Sequence, residues 1–214
     1  MNPRRTEALS DGTFAVAMTL LIFDVRLGTG HAQVHGACHD LWFNEWPHYL
    51  GYLVSFVVVG MLWLNHHSVF RLVRRIDHTA MVLNLLLLLL VVFIPFPTQV
   101  LAAYLVNSSS IGDVVAVFYG MALAAATLAL AFLWHHFERK PELLKPGVDP
   151  QQLHILTRRL YLSPVLYLGM AAIAASNHWV GLVLYLTVAC VYILHTGTRA
   201  FPILSDEVDG SQAD

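Results

Sequence analysis

Four long stretches of the chain carry no charge. Tyr49 to Phe70 contains no Asp, Glu, Lys or Arg, and neither do Thr79 to Gly112, Val114 to Phe137 and Leu160 to Thr198. A helix needs roughly 20 mostly apolar residues to cross a bilayer, so each of the first three accommodates one span. The fourth is too long for one span. "SNHWVG" (Ser176 to Gly181) divides it with a turn and an interfacial Trp179. An apolar run at the start, inside "RRTEALSDGTFAVAMTLLIF", supplies one more. The pattern predicts six helices, near 6–27, 47–73, 78–104, 113–137, 154–175 and 179–199.

The basic residues agree with that count. Arg4 and Arg5 precede the first helix. Arg71, Arg74 and Arg75 lie between the second and third, and Arg139, Lys140, Lys145, Arg158 and Arg159 between the fourth and fifth. Arg199 follows the sixth. In a six-span chain all of these fall on one side and only Arg26 on the other, which puts both termini in the cytoplasm. Five or seven spans would scatter them.

Composition adds the class. The chain is 57% hydrophobic and 12% charged, with a mean hydropathy of +0.61. A soluble domain carries about a quarter charged residues, so this is an all-α integral membrane protein. A net charge of −2 offers no basic surface for nucleic acid. Cys38 falls in a loop and Cys190 in membrane core, so no disulfide framework is expected. Glu7 and Asp11 interrupt the approach to the first helix, and no small-residue cleavage site follows, so that segment reads as retained rather than as a leader. Residues 1–203 read as one six-helix domain and 204–214 as an acidic, disordered tail. "KPELLKPGVDP" reads as a cytoplasmic linker.

The first helix suits lipid poorly. Gly12 to Phe23 is uncharged but spans only about 18 Å at 1.5 Å per residue, and Asp11 and Asp24 flank it. Carboxylates facing lipid are costly, so protein or water around this helix would relieve them; acids placed at the two interfaces would also serve. At 100° per residue, Gly12, Val16, Thr19 and Phe23 fall within about 60° of one another. Phe14, Met18, Leu21 and Val25 occupy the opposite side, towards which Asp11 projects. Geometry leaves the first stripe open between a packing face and a channel wall.

Twelve histidines raise the question of metal. His31, His35 and His39 recur four apart, with Cys38 and Asp40 beside them, which are ligand types suited to zinc. Gly30 and Gly36 weaken any helix there, and a solvated outer loop is the plainer expectation. No resident cofactor or metal is expected. His66 and His67 are neighbours about 100° apart on a helix and chelate poorly. His135 and His136, at a helix end, are expected to be solvated.

Arg5 followed by Leu9-Ser10-Asp11 resembles the R-x-x-x-F-S-D motif that opens the first helix of the transmembrane protein 175 family of potassium channels. "GTFAVAMTLLIFDV" is similar to that family's continuation, and "SFVVVGMLWLNHHSVF" and "LNLLLLLLVVFIPFPTQVL" extend the likeness through about the first hundred residues. Leu9 departs from the motif's phenylalanine, removing an aromatic contact and leaving the polar pair intact. The resemblance implies a six-helix unit, assembled as a homotetramer because the chain carries one unit, with a central pore lined by the first helix. The family's constriction carries over onto Val16, Thr19 and Phe23, where Val16 replaces a longer aliphatic residue and Phe23 a leucine.

The function this implies is a potassium-permeable cation channel of the cell membrane, with other copies of the chain, the bilayer and monovalent cations as its partners. Selectivity is expected to be modest, from apolar rings and a threonine ring, since no TVGYG-like loop and no carboxylate on the stripe are present. Arg5, Ser10 and Asp11 are expected to join His66, His67 and Asn84 in a polar lock that holds the pore helix, because polar groups in a membrane need partners. A secondary transporter is the alternative. It would show repeats and broken helices, and the one Pro-rich break is "FIPFPT" (Phe93 to Thr98). No HExxH, no G-x-S-x-G and no paired carboxylates point to an enzyme.

Overall fold

A computed structural model of the chain describes residues 3–24, 46–104, 109–148 and 150–200. Apart from short connections these residues are helical, with no strand among them. Helix α1 spans Pro3–Leu20 and tightens into a 3-10 turn, Leu21–Asp24. It is followed by α2 (Trp46–Leu72), α3 (His78–Phe93), α4 (Pro95–Tyr104), α5 (Ser109–Glu138), α6 (Pro150–Ala174) and α7 (His178–Ala200). Taking α3 and α4 as one bent rod, the described residues form six rods, each near its expected place.

The Pro-rich break expected at Phe93 to Thr98 within the 78–104 span falls at Ile94. Pro95 has no N–H to offer Val91, and Ile94 N takes that carbonyl at 3.1 Å. Thr98 then returns to Ile94 O twice, through its amide at 3.2 Å and its hydroxyl at 2.9 Å. The hydroxyls of Ser55 and Thr98 meet at 2.7 Å, and Tyr119 reaches Ser55 at 3.0 Å. The break is thus closed by a buried chain of hydroxyls.

Helix α5 is the scaffold. It packs against α3, α4, α6 and α7, while α1 lies on α2 and α3. Trp134, Tyr119, Phe137 and Leu123 of α5 are fully buried with Tyr167 and Tyr185. The α5–α7 crossing needs Gly120: a Cβ there would meet Tyr185 Oη and lie 2.8 Å from Ala171 Cβ. Across that gap the Tyr185 hydroxyl donates to Ala116 O at 3.2 Å.

The two ends of the bundle are held differently. At one end "KPELLKPGVDP" is more than a linker. It forms a 3-10 turn, Pro141–Leu143, and Leu144 bridges to Val73, with Arg74 N donating to Leu143 O and Lys145 N to Leu72 O, both at 2.8 Å. Asp77 caps α3 by accepting from Ala80 N at 2.9 Å. It also accepts from Lys140 Nζ at 2.8 Å and pairs with His136 at 2.9 Å. Desolvation opposes its charge, but the bonds from Lys140, Ala80 N and His136 outweigh it and hold the Asp77 carboxyl well below the usual carboxylate range. His135, also expected to be solvated, bonds the Tyr161 hydroxyl at 2.7 Å. At the other end Asp113 accepts from His178 N and Nδ1, each at 2.8 Å, and Trp46 stacks on Trp179 at 5.7 Å.

Among the described residues, four helical segments are long and apolar enough to cross a membrane: Pro3–Phe23, His48–Leu72, His78–Tyr104 and Ile111–Glu138. Helix α7 adds a shorter apolar piece, His178–Val188. Helix α6 becomes uncharged only from Leu160, after Arg158 and Arg159. The chain is a multi-pass membrane protein.

Candidate functional site

Helix α1 has two faces. Thr6, Ser10, Phe14, Ala17 and Leu21 are buried, a progression of three and four residues that marks one side of a helix. Gly12, Val16, Thr19 and Phe23 are exposed on the other. Val16 is 53% and Phe23 75% accessible, and a Cβ at Gly12 would touch nothing. The expected opposite face is partly in view: Phe14 and Leu21 are buried, Met18 is half-buried, and Val25 lies outside the described residues. Only 28% of the first span is buried within the protomer, against 67% of α5. The stripe is therefore left uncovered by the rest of the chain's described residues.

Thr19 does not present a free hydroxyl. Its Oγ1 donates to Val16 O at 2.8 Å, so the proton is directed back into the helix and the oxygen remains as an acceptor on the exposed face.

Behind the stripe a polar seam joins three helices. Ser10 Oγ donates to Thr6 O at 2.9 Å. Asn84 Nδ2, on α3, donates to Ser10 Oγ at 3.0 Å, and Asn84 Oδ1 pairs with His66 Nε2, on α2, at 2.9 Å. With Oδ1 as acceptor, His66 carries its proton on Nε2. All three side chains are essentially inaccessible. The His66 ring is stacked on Phe70 at 4.2 Å and leans on Phe14 at 5.4 Å, which fixes its plane. Each link of the seam has a donor and an acceptor, while the other ring nitrogen, His66 Nδ1, is buried without a hydrogen-bond partner among the described residues.

Asp11 belongs to a different contact from the one expected. His66, His67 and Asn84 were its expected partners; its partner is Trp63, whose Nε1 donates to Asp11 Oδ1 at 2.9 Å. The reason is rotation. Asp11 is one residue, about 100°, past Ser10, which turns it off the buried seam and onto the flank of α2. His67 lies on that flank, stacked on Trp63 at 5.7 Å, with Nδ1 3.3 Å from Glu7 Oε1. Arg5 is exposed on the first turn and joins neither group. Sequence reasoning missed Thr6, Glu7 and Trp63. Glu7 precedes Asp11 by four residues and Trp63 precedes His67 by four, so helical spacing carried a signal for both.

His31, His35 and His39, with Cys38 and Asp40, lie outside the described residues. Among the described residues no cluster of three or more His, Cys, Asp or Glu side chains is arranged to hold a metal ion.

Comparison with known proteins gives a consistent result. The family described as "Endosomal/lysosomal potassium channel TMEM175" matches residues 5–95. A potassium channel of Streptomyces collinus is 40% identical over 174 residues, which is 80% of this chain and 83% of that one. A potassium channel of Chamaesiphon minutus is 34% identical over 193 residues, 90% and 94% of the two chains. The crystal structure of a lysosomal potassium-selective channel TMEM175 homolog from Chamaesiphon minutus superposes with a TM-score of 0.79 at 31% identity, covering 90% of this chain and 97% of that one. The likeness reaches well beyond the first hundred residues.

Proposed function

The chain belongs to the TMEM175 family, and on that premise we propose that it is a potassium-permeable cation channel of the cell membrane, formed by four copies around a central pore lined by α1. The channels to which it is similar over most of their length support the activity. The observation that carries the pore is the two-sidedness of α1: a buried polar seam holds one face, while Val16, Thr19 and Phe23 are left uncovered on the other. The six-helix unit, residues 1–203, is the channel domain, and 204–214 is an acidic tail. Both termini are cytoplasmic, in keeping with the basic residues gathered at one end.

In this assembly Val16 and Phe23 form apolar rings on either side of a ring of Thr19 oxygens. A cation entering the constriction must shed water and finds only four hydroxyl oxygens, each with its proton turned towards Val16 O. Potassium holds its hydration less tightly than sodium and passes more readily. The absence of a dense oxygen cage keeps the preference modest. The permeating ion is substrate, and the mechanism assigns no resident cofactor.

The seam sets the register. Ser10, Asn84 and His66 fix the rotation of α1 on α2 and α3, and the Asp11–Trp63 contact fixes its height, so the stripe is aimed by groups that never meet the ion. The carrier reading draws on the break at Ile94, but there the freed backbone and hydroxyl groups are satisfied within the core and offer a solute nothing to bind.

The deciding measurement is reversal potential under potassium and sodium gradients in a planar bilayer. Thr19→Ala is expected to lower the potassium preference and Val16→Asn to raise conductance. Unchanged permeation in both variants refutes the assignment, and saturable, coupled flux in place of ohmic current assigns the chain to carriers.

A further inference from the structure

An apolar concavity lies away from α1, in a groove of about 510 Å³ between α5 and α6. Its floor is made by Ala124 and Ala131 and its walls by Leu128 and Phe132 on one side and Val165 and Leu168 on the other. The wall side chains are exposed on the protomer. Small residues on α5 and Pro164 on α6 keep the two helices from filling the space themselves. At one end the groove stops at a polar rung, His135 Nδ1 to the Tyr161 hydroxyl at 2.7 Å.

What lies past the rung identifies the occupant. Arg139 follows His135 by four residues, and its amide still bonds His135 O at 3.1 Å. Arg158 precedes Tyr161 by three. Each arginine therefore extends one wall of the groove by a turn, and both are exposed. Glu138, beside the rung, is engaged: Tyr161 donates to its Oε2 at 2.7 Å and Thr157 to its Oε1 at 2.6 Å. The sequence of environments is apolar trough, hydroxyl and imidazole rung, then two exposed arginine side chains. An anionic phospholipid has the same order of acyl chain, ester region and phosphate headgroup.

We propose that this groove binds an acyl chain of an anionic phospholipid, with Arg139 and Arg158 holding the headgroup. A second copy packed groove to groove in the same membrane orientation would bring the two arginine ends together, which disfavours that occupant. The site rests on the membrane-spanning part of the reading above and not on permeation, so it stands or falls separately from the pore.

The test uses the full chain in detergent, titrated with phosphatidylglycerol or with phosphatidylcholine, and bound lipid counted by native mass spectrometry. The unaltered protein is expected to bind phosphatidylglycerol more tightly. Arg139→Gln and Arg158→Gln are each expected to weaken that binding about fivefold, and the pair to abolish the preference. Ala125→Phe, which fills the groove, is expected to displace both lipids at unchanged subunit count. Equal binding of the two lipids by the unaltered protein overturns the proposal, as does a preference that survives the arginine pair. Loss of assembly in Ala125→Phe with lipid binding retained gives the groove to a neighbouring subunit and also overturns it.

Discussion

Asn84 Nδ2 donates to Ser10 Oγ at 3.0 Å across 74 positions of sequence, inside a region closed to water. This is the contact through which α3 sets the rotation of α1. Removing Ser10 leaves Asn84 Nδ2 buried without an acceptor, whereas removing Asn84 leaves Ser10 Oγ bonded to Thr6 O but takes the partner from His66 Nε2. A double-mutant cycle of Ser10→Ala and Asn84→Ala is expected to give a coupling energy of about 0.6–1.7 kcal/mol, the range for interhelical hydrogen bonds in membranes. Thermal unfolding in detergent measures it, and a coupling of zero would remove the seam from the account.

The Asp11–Trp63 bond makes an unequal forecast for two conservative changes. Asp11→Asn keeps an oxygen that can accept from Trp63 Nε1. Trp63→Phe keeps the apolar ring and removes the donor, leaving a carboxylate at membrane depth without its partner. Trp63→Phe is expected to be the more damaging of the two, both in melting temperature and in current. An Asp11→Asn protein that is the worse of the two would mean that charge, not this hydrogen bond, is what Asp11 supplies.

These contacts also mark where sequence reading stops. Helix positions were legible because a bilayer imposes a one-dimensional rule: a charge-free stretch of sufficient length crosses, and charges collect at its ends. The break at Ile94 was half-legible, since Pro95 and Pro97 announce it but do not say that Ser55 and Tyr119 will close it. Rotation of α1 was legible from 100° steps, which separated Phe14 and Leu21 from Val16 and Thr19. The partner of Asp11 was not, because it depends on how α1 crosses α2, and no periodicity within one helix encodes that. The Val73–Leu144 bridge was hidden for the same reason: each half reads as an ordinary loop.

Asp77 gives a pH signature. Its carboxyl lies below the usual range in the folded protein, so it stabilises the fold at every pH above its unfolded value of about 3.9 and loses that contribution as pH falls through the folded value. Replacement by alanine is expected to cost about 1 kcal/mol through the lost helix cap. The pairs with Lys140 and His136 add less than their distances suggest, since the carboxylate remains 27% exposed. The difference in melting temperature between the parent and Asp77→Ala should stay present near neutral pH and shrink below about pH 4. A difference that grows on acidification would contradict the assigned sign.

Gly120, on α5 at its crossing with α7, and Gly169, on the open side of α6, form a contrasting pair. Alanine is favoured over glycine by about 1 kcal/mol inside a helix. At Gly169, where a Cβ meets nothing within 4 Å, that gain should appear as stabilisation. At Gly120 the new Cβ presses on Ala171 and on the buried Tyr185, and overpacking of this kind costs about 1–3 kcal/mol. Gly120→Ala is therefore expected to lower the melting temperature while Gly169→Ala raises or holds it. Equal behaviour of the two would show that the crossing is looser than these distances imply.

The face of α1 can be read out chemically. Val16 and Ala17 are adjacent, yet one is 53% exposed and the other 0%. If four copies of α1 surround water, a cysteine at position 16 or 23 meets the permeation path, and one at 17 or 21 meets only its own subunit. In a background with Cys38 and Cys190 replaced, Val16→Cys and Phe23→Cys channels should be blocked by a charged, water-soluble thiol reagent. Ala17→Cys and Leu21→Cys channels should keep their current. Exposure within the protomer does not by itself separate water from lipid, and this reagent does, because it does not enter hydrocarbon. Reaction at none of the four sites would put the Val16 stripe against acyl chains, whereas reaction at 17 and 21 but not at 16 and 23 would turn the helix half a revolution and move the pore to the seam.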